Sequence, residues 1–469
     1  MKGPILFLGI GGSGMSSLAH MAIDLQIPVV GYDKKKSDIT DYLVERGVKL
    51  YQSIGEIPLD GIQMVVYSSA INDKHKDVFD RIQNLNIPLK HRSEFMHLLV
   101  SNQKSISVAG SHGKTSTTTM VSQILTEVGL DPTIMIGGDT SLLQKRGGKM
   151  GKGDYAVYES DESDGTFLRH KANIRLLTNI DNDHLDYYRT RERLEEAFLN
   201  YMGFSSPGEV VLFVGDPGIK SVLEIHYRNL TFHNELHLNL LVTKSHTYED
   251  WFSYFLSQFQ NQITVVLYEV KENQLYFQLE NQSYTLELPY PGVHYLTNGL
   301  VALTCAYRIG ISPSQSSQIL SRYIGVKRRQ EILGVWNEVT VIDDYGHHPT
   351  EIKMVIQSLK DKIKNKGKLH VIFQPHRYTR TKLLLEDLAK SLLGADFVFL
   401  LPIYSAGENP MEGITSNRFL PYLTGSQTTM LDGNIREDLE QIKPHLNKGD
   451  LLLCLGAGNV RDWGMELVS

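Results

Sequence analysis

Short apolar runs, each closed by a glycine or a polar cluster and followed by a helix-period pattern, recur along this chain of 469 residues. Such alternation is the mark of βαβ units and parallel sheets. Three sets of runs stand out. The first comprises Ile5–Leu8, Val29-Val30 and Met64–Tyr67; the second opens at Ile106–Ala109 and includes Ala156–Tyr158 and Ile174–Leu177. The third follows residue 323, with Val339–Ile342, His370–Phe373, Phe397–Leu401 and Leu451–Leu455. At roughly 100–200 residues per domain the length calls for two to four domains. The expectation is three α/β domains, at residues 1–104, 105–323 and 324–469. Residues 219–288, rich in Tyr, Asn, Gln and His, read as mixed or antiparallel structure without chemistry of their own.

Composition removes several classes. With 41% hydrophobic and 21% charged residues the chain is not mainly disordered, collagen-like or a disulfide scaffold. A formal charge of −6 leaves no general footprint for nucleic acid or an anionic membrane. The lysines of Lys360–Lys368 close a helix pattern, where cations complement the macrodipole. Cys305 and Cys454, both in apolar settings, read as buried thiols in a reduced compartment. The apolar start is broken too early by Gly9 for a secretory signal, which needs about 7–15 apolar residues. No run approaches the ~20 residues of a spanning helix. The expectation is a cytoplasmic protein with no membrane insertion.

Polar clusters follow the apolar runs directly, at the strand ends where open α/β sheets bind ligands. Gly9-x-Gly11-x-x-Gly14 follows the first run, with Asp33 downstream: the formal dinucleotide fingerprint. Its geometry suits any nucleoside diphosphate on a helix N-terminus and does not specify a nicotinamide. Gly110-Ser111-His112-Gly113-Lys114-Thr115 follows Ile106–Ala109 and opens a helix patterned by Met120, Val121, Ile124, Leu125 and Val128. Backbone donors there would cradle phosphate oxygens, Lys114 would reach the terminal phosphates, and Thr115 would touch Mg²⁺. Val108 stands where the full phosphate-loop pattern has its first glycine, so the loop is short.

A phosphate loop needs a cation with oxygen ligands. Glu159-Ser160-Asp161-Glu162-Ser163-Asp164 offers four carboxylates at a strand end, with Glu159 the expected Mg²⁺ ligand and the others in support. Thr178–His184 brings further acids and His184, which suggests a second cation. In the last segment, Gly325–Arg329, Asp343–Pro349 and Gln374–Arg380 put arginines and histidines at strand ends, suited to an anionic or zwitterionic group. No nucleophile elbow, HExxH helix or Cys–His pairing is present, so a hydrolase reading lacks its nucleophile.

Together these stretches resemble the Mur ligase family nearly from end to end. The resemblance rests on Gly9–Gly14, Ser68–Ile71, Gly110–Thr115, Glu159–Asp164, Thr178–His184, Gly325–Arg329, Asp343–Pro349, Pro375–Arg380 and Tyr404–Glu408. It implies an α/β enzyme with a Rossmann-like N-terminal domain, a P-loop ATPase-like central domain and a Rossmann-like C-terminal domain. Gly11, Gly12, Ser13, Gly14, Asp33 and Ser69 would hold a UDP-sugar. ATP would bind Gly110, Ser111, His112, Gly113, Lys114, Thr115 and Ser116, with Asn298, Arg329 and Asp344. Two Mg²⁺ ions, replaceable by Mn²⁺, would sit on Thr115, Glu159 and His184. His348, Arg377 and Arg380 would hold the incoming amino acid, and Lys114, Glu159, His184 and His348 would serve catalysis.

The implied reaction activates the carboxylate of UDP-N-acetylmuramate as an acyl phosphate and joins it to L-alanine, in peptidoglycan precursor synthesis. The stretch Pro375–Arg380 points to the alanine-adding member, with the ligase that re-attaches recycled tripeptide as the alternative. The partners are small molecules, and the protein is expected as a monomer or homodimer. The sequence departs from the family at Tyr295, where Asn is usual, and at Gln330, where Phe is usual. No lysine lies between His184 and Lys220, so the carbamoylated lysine of several relatives is lacking. Two other classes compete. A nicotinamide-dependent dehydrogenase would leave Lys114, Glu159 and the C-terminal arginines without work, and a P-loop switch would need no acceptor.

Overall fold

The computed structural model describes residues 3–68, 76–144, 146–364 and 366–469. The chain has a three-domain α/β fold built on three sheets. In the first, the order is Lys49–Tyr51, Val29–Tyr32, Ile5–Leu8, Met64–Tyr67, Leu89–His91, all parallel. Ile5–Leu8 is wholly buried, as a parallel strand covered on both faces must be. The strand order reverses at Ile5–Leu8, so the crevice beyond its carboxyl end is the ligand position of such a sheet. Gly9–Gly12 turns there into the helix Ser13–Asp24.

The second sheet has ten strands. Its parallel body runs Thr133–Met135, Tyr155–Glu159, Lys104–Ala109, Ile174–Leu177, Gly208–Phe213, Leu236–Val242, Ile263–Lys271. Residues 219–288 are mixed, as expected: two of their strands extend the parallel body, and Gln274–Leu279 with Gln282–Leu286 form an antiparallel hairpin at its edge. The hairpin turn is Glu280-Asn281, both at positive φ, the conformation whose twist matches the flanking strands. That turn fixes the last strand at Gln282–Leu286.

One side chain links two neighbouring strands of this body. Arg175 is 1% exposed, and its Nη1 donates to the carbonyls of Ala172 (3.1 Å) and Pro207 (3.3 Å). It thereby joins the start of Ile174–Leu177 to the turn before Gly208–Phe213.

The third sheet runs Glu331–Trp336, Val339–Asp344, Leu451–Leu455, Leu369–Phe373, Phe397–Leu400, Gln427–Met430, and only the first strand is antiparallel. Asp343 and Asp344 prove to be the last residues of their strand rather than the start of the loop. The first two sheets belong to one compact unit, through Leu288 and with Leu296–Ile324. The third forms a separate unit with Pro289–Tyr295 and Gly325–Ser469.

Candidate functional site

The phosphate-loop sequence lies where the chain leaves the buried strand Lys104–Ala109. Gly110 (φ 136°) and Gly113 (φ 81°) are both at positive φ, and both are tightly overlaid. A Cβ on Gly110 would strike the Thr178 hydroxyl, and one on Gly113 would lie 2.8 Å from the Asn298 amide. Gly113 caps the helix Lys114–Glu127 without a side-chain acceptor, leaving its first N–H groups directed at the loop.

The loop is braced from the next strand end. Asn179 accepts from the His112 N–H at 2.8 Å and donates through Nδ2 to the His112 carbonyl at 2.8 Å. Thr178 Oγ1 donates to the same carbonyl at 2.7 Å. The Asp181 N–H donates to Ser111 Oγ (2.9 Å), and His112 Nε2 lies 3.0 Å from Asp181 Oδ2. The run 178–184 was expected to serve a cation. Thr178, Asn179 and Asp181 of that run shape the loop.

Lys114 uses its ammonium inside this frame, donating to the carbonyls of Gly110 (2.6 Å) and Ser111 (3.3 Å) and to Glu162 Oε1 (2.7 Å). Burial works against the charge, but Glu162, Asp161 and Glu159 outweigh it and hold the lysine pKa above its ordinary value. The four carboxylates of 159–164 divide among three partners. Glu159, the last residue of its strand, accepts from the Gly137 N–H at 2.9 Å. Glu162, 1% exposed, faces Lys114. Asp161 and Asp164 lie 3.1 and 3.6 Å from Arg92 Nη2. Burial would raise Asp161, yet Ser163, Lys114 and Arg92 bring it down to about 2. His184, at φ 56°, puts Nε2 3.7 Å from Glu162 Oε1.

At the glycine turn, Asp33 does not point outward. Its Oδ2 accepts from the Gly11 N–H at 2.8 Å and its Oδ1 from the Lys35 N–H at 3.1 Å, so the carboxylate shapes the turn itself. Arg92 reaches the same place: a Cβ on Gly14 would lie 3.0 Å from its Nη1. Beside it a pocket is lined by Leu18, Arg92, Met96, Tyr158, Glu159 and Asp161, among others. Ser69 lies outside the described residues.

In the second unit, Asp344 accepts from the N–H groups of Gly346 (2.7 Å) and Gln330 (2.9 Å). Burial pushes its pKa up to about 6, against the pull of Arg329. Arg329 pairs with Glu351 at 3.2 Å and lies over the Tyr345 ring. Tyr295 donates its hydroxyl to the Arg329 carbonyl at 3.1 Å, and buried Gln330 reaches Ser358 at 3.3 Å, so both departures from the family pattern back the same segment. His348 is buried as the N-cap of the helix Pro349–Ile363, its ring accepting from the Thr350 N–H.

Arg377, at φ 68°, starts the helix Tyr378–Ser391 and is fixed through its N–H to the Tyr404 carbonyl at 2.8 Å. His376 stacks on Tyr404, and His347 packs edge-on against His376. Burial, with Arg380 and Arg377 beside it, lowers His376 to about 4. This cluster therefore presents neutral imidazoles beside two guanidiniums.

Sequence reasoning named Lys114, Glu159 and Asn298 around one loop, and the structure brings them together. It overlooked Arg92, the brace of Thr178 and Asn179, and the rings of His347, His376 and Tyr404. Apart from Arg92, each of these lay inside a stretch already singled out. Arg92 carried no local signal, because its partners are about 70 residues away.

Three family models match consecutive stretches: Mur ligase family, catalytic domain, over 4–104; Mur ligase middle domain over 108–306; and Mur ligase, glutamate ligase domain, over 328–458. The chain is similar to the UDP-N-acetylmuramate–L-alanine ligase of Endomicrobium trichonymphae, 37% identical with 99% of this chain and 98% of that protein covered. It is similar also to the enzyme of that name from Desulforamulus reducens, 36% identical over 98% of this chain and 96% of that protein. The crystal structure of the UDP-N-acetylmuramate–alanine ligase MurC from Thermotoga maritima shares the fold, with TM-score 0.77, 24% identity, and 99% of this chain and 98% of that one covered. On the strength of the end-to-end matches, the chain belongs to the Mur ligase family.

Proposed function

We propose that the chain is an ATP-dependent ligase that joins L-alanine to the carboxylate of UDP-N-acetylmuramate, in peptidoglycan precursor synthesis. The observation that carries this reading is full-length identity of 36–37% to relatives bearing that name. The short loop supports it chemically, with an ammonium, a helix N-terminus and a carboxylate strand end gathered around it.

In this reading residues 1–104 bind the UDP-sugar on Gly11, Gly12, Ser13 and Gly14. Residues 105–323 bind ATP on the 110–116 loop with Asn298, and 324–469 supply Arg329 and Asp344 for the nucleotide. The pocket beside Arg92 and Glu159 takes the muramoyl acid. Its carboxylate attacks the γ-phosphate, ADP leaves, and the amino group of L-alanine displaces phosphate from the acyl phosphate. Lys114 offsets charge developing on the transferred group, in a site where a fixed cation acts at low dielectric. Arg377 and Arg380 suit the amino-acid carboxylate, and the low basicity of His347 and His376 avoids adding charge beside them.

The oxygen donors of Thr115 and Glu159 fit Mg²⁺, since Glu159 is in strand register with Val108 at the loop's entry. The nitrogen of His184 fits a softer divalent ion such as Mn²⁺ as well. A bound divalent ion would supply charge neutralisation during phosphoryl transfer. We infer a cytoplasmic site of action from the need for ATP and a nucleotide sugar. The test is mass detection of product from ATP, Mg²⁺, UDP-N-acetylmuramate and a panel of amino acids and tripeptide. Product with tripeptide but not with alanine would refute the alanine step.

A further inference from the structure

An ammonium has three N–H donors, and all three of Lys114 are committed: to the Gly110 and Ser111 carbonyls and to Glu162 Oε1. A phosphate oxygen can bind Lys114 only if one of these bonds is given up. The two carbonyls belong to the loop that would cradle the phosphates, so they move with it. Glu162 does not: it stands on the acid stretch after the neighbouring strand Tyr155–Glu159. Its side chain is 1% exposed, its Oε2 is buried without a hydrogen-bond partner among the described residues, and Tyr188 fixes its backbone by donating to its carbonyl at 2.6 Å. Arg92 holds Asp161 and Asp164 on either side of it. A carboxylate so confined cannot swing away, and it would repel phosphate oxygens that approached.

We propose that Glu162 is a positioning residue that competes with the nucleotide for Lys114. It holds the ammonium against the loop, yields it to the incoming phosphate, and takes it back as ADP leaves. Nucleotide affinity is thereby set lower than the loop alone would give, which favours product release. This inference rests on the assignment of residues 110–116 to nucleotide.

The test is calorimetric titration of MgADP into wild-type protein, Glu162→Gln and Glu162→Asp, each checked for folding by thermal melting. Glu162→Gln keeps the shape and a neutral acceptor but removes the charge. Because a hydrogen bond to a charged group is worth roughly twice a neutral one, the variant should bind ADP about tenfold more tightly. Glu162→Asp retracts the carboxylate from Lys114 and should tighten binding to a smaller degree, which keeps the test open if the glutamine variant does not fold. A merely structural role predicts weaker binding, not tighter. Unchanged or weaker ADP binding by either folded variant would overturn the proposal. Absence of ADP binding by the wild type would bring down the nucleotide assignment itself, and this inference with it.

Discussion

Asn179 offers the sharpest measure of how far the short loop depends on its neighbour. Replacing it with alanine removes two hydrogen bonds of 2.8 Å, one from the His112 N–H and one to the His112 carbonyl. The two losses are unequal. The carbonyl keeps the bond from Thr178 Oγ1, whereas the N–H loses the acceptor that Asn179 gave it. A neutral hydrogen bond contributes about 1 kcal/mol net, and an unsatisfied donor costs about 1–3 kcal/mol. The deletion should therefore cost about 2 kcal/mol in loop order, or roughly 30-fold in nucleotide affinity if the loop must be ordered to bind. Asn179→Asp should be worse than alanine, because it keeps the acceptor but turns a carboxylate toward the His112 carbonyl and the phosphates. Thr178→Val should be milder, since Asn179 still serves that carbonyl. The assay is MgADP affinity by calorimetry, with thermal melts to verify folding. An Asn179→Ala variant that is folded and binds ADP within twofold of wild type would refute the brace.

Three further outcomes follow from the same geometry. Lys114→Ala should abolish turnover while leaving UDP-sugar affinity intact, because the glycine turn is built from its own sheet and Asp33; loss of both in a folded protein contradicts separate sites. Arg377→Ala should raise the KM for the amino acid tenfold or more, the loss of one bidentate carboxylate contact, with little effect on ATP, and steady-state kinetics with each substrate varied would decide it. Stability should fall as pH drops from 6.5 toward 4. In the fold, burial above all lowers His20, His91, His294, His347 and His376 to about 4. The unfolded chain then binds more protons in that window, and each such proton is worth roughly 1.4 kcal/mol per pH unit. Asp344 works oppositely, since its raised value makes the folded state retain a proton up to about 6. Burial raises Glu162, Asp216 and Asp343 in the same sense as Asp344, but it also lowers His170, His237, His246 and His370, so the histidines leave acid destabilising; a urea midpoint at pH 5 equal to that at pH 7 would contradict this.

The strands were the most legible part of the sequence because parallel strands buried on both faces are continuous apolar runs. Ile5–Leu8, Met64–Tyr67, Ile174–Leu177 and Leu451–Leu455 fall where the runs fall. The glycines of the phosphate loop were legible for a similar reason, since a positive φ under a close neighbour excludes a side chain. What could not be read was which polar residue faces which. Asp33 fits a ribose-binding pattern yet bonds Gly11, and the acids of 159–164 look alike in sequence while serving a lysine, an arginine and a backbone amide. Those choices are made by packing between segments far apart in the chain, and no local pattern records them.

Arg175 has a consequence for how this protein meets acid. Among the described residues its hydrogen bonds go only to carbonyl oxygens, so neither end of the contact changes charge between neutrality and the range where carboxylates protonate. Contacts that lean on imidazoles weaken in that interval. The seam between strands 174–177 and 208–213 should keep its alignment there, a proton-indifferent rivet in the middle of the widest sheet.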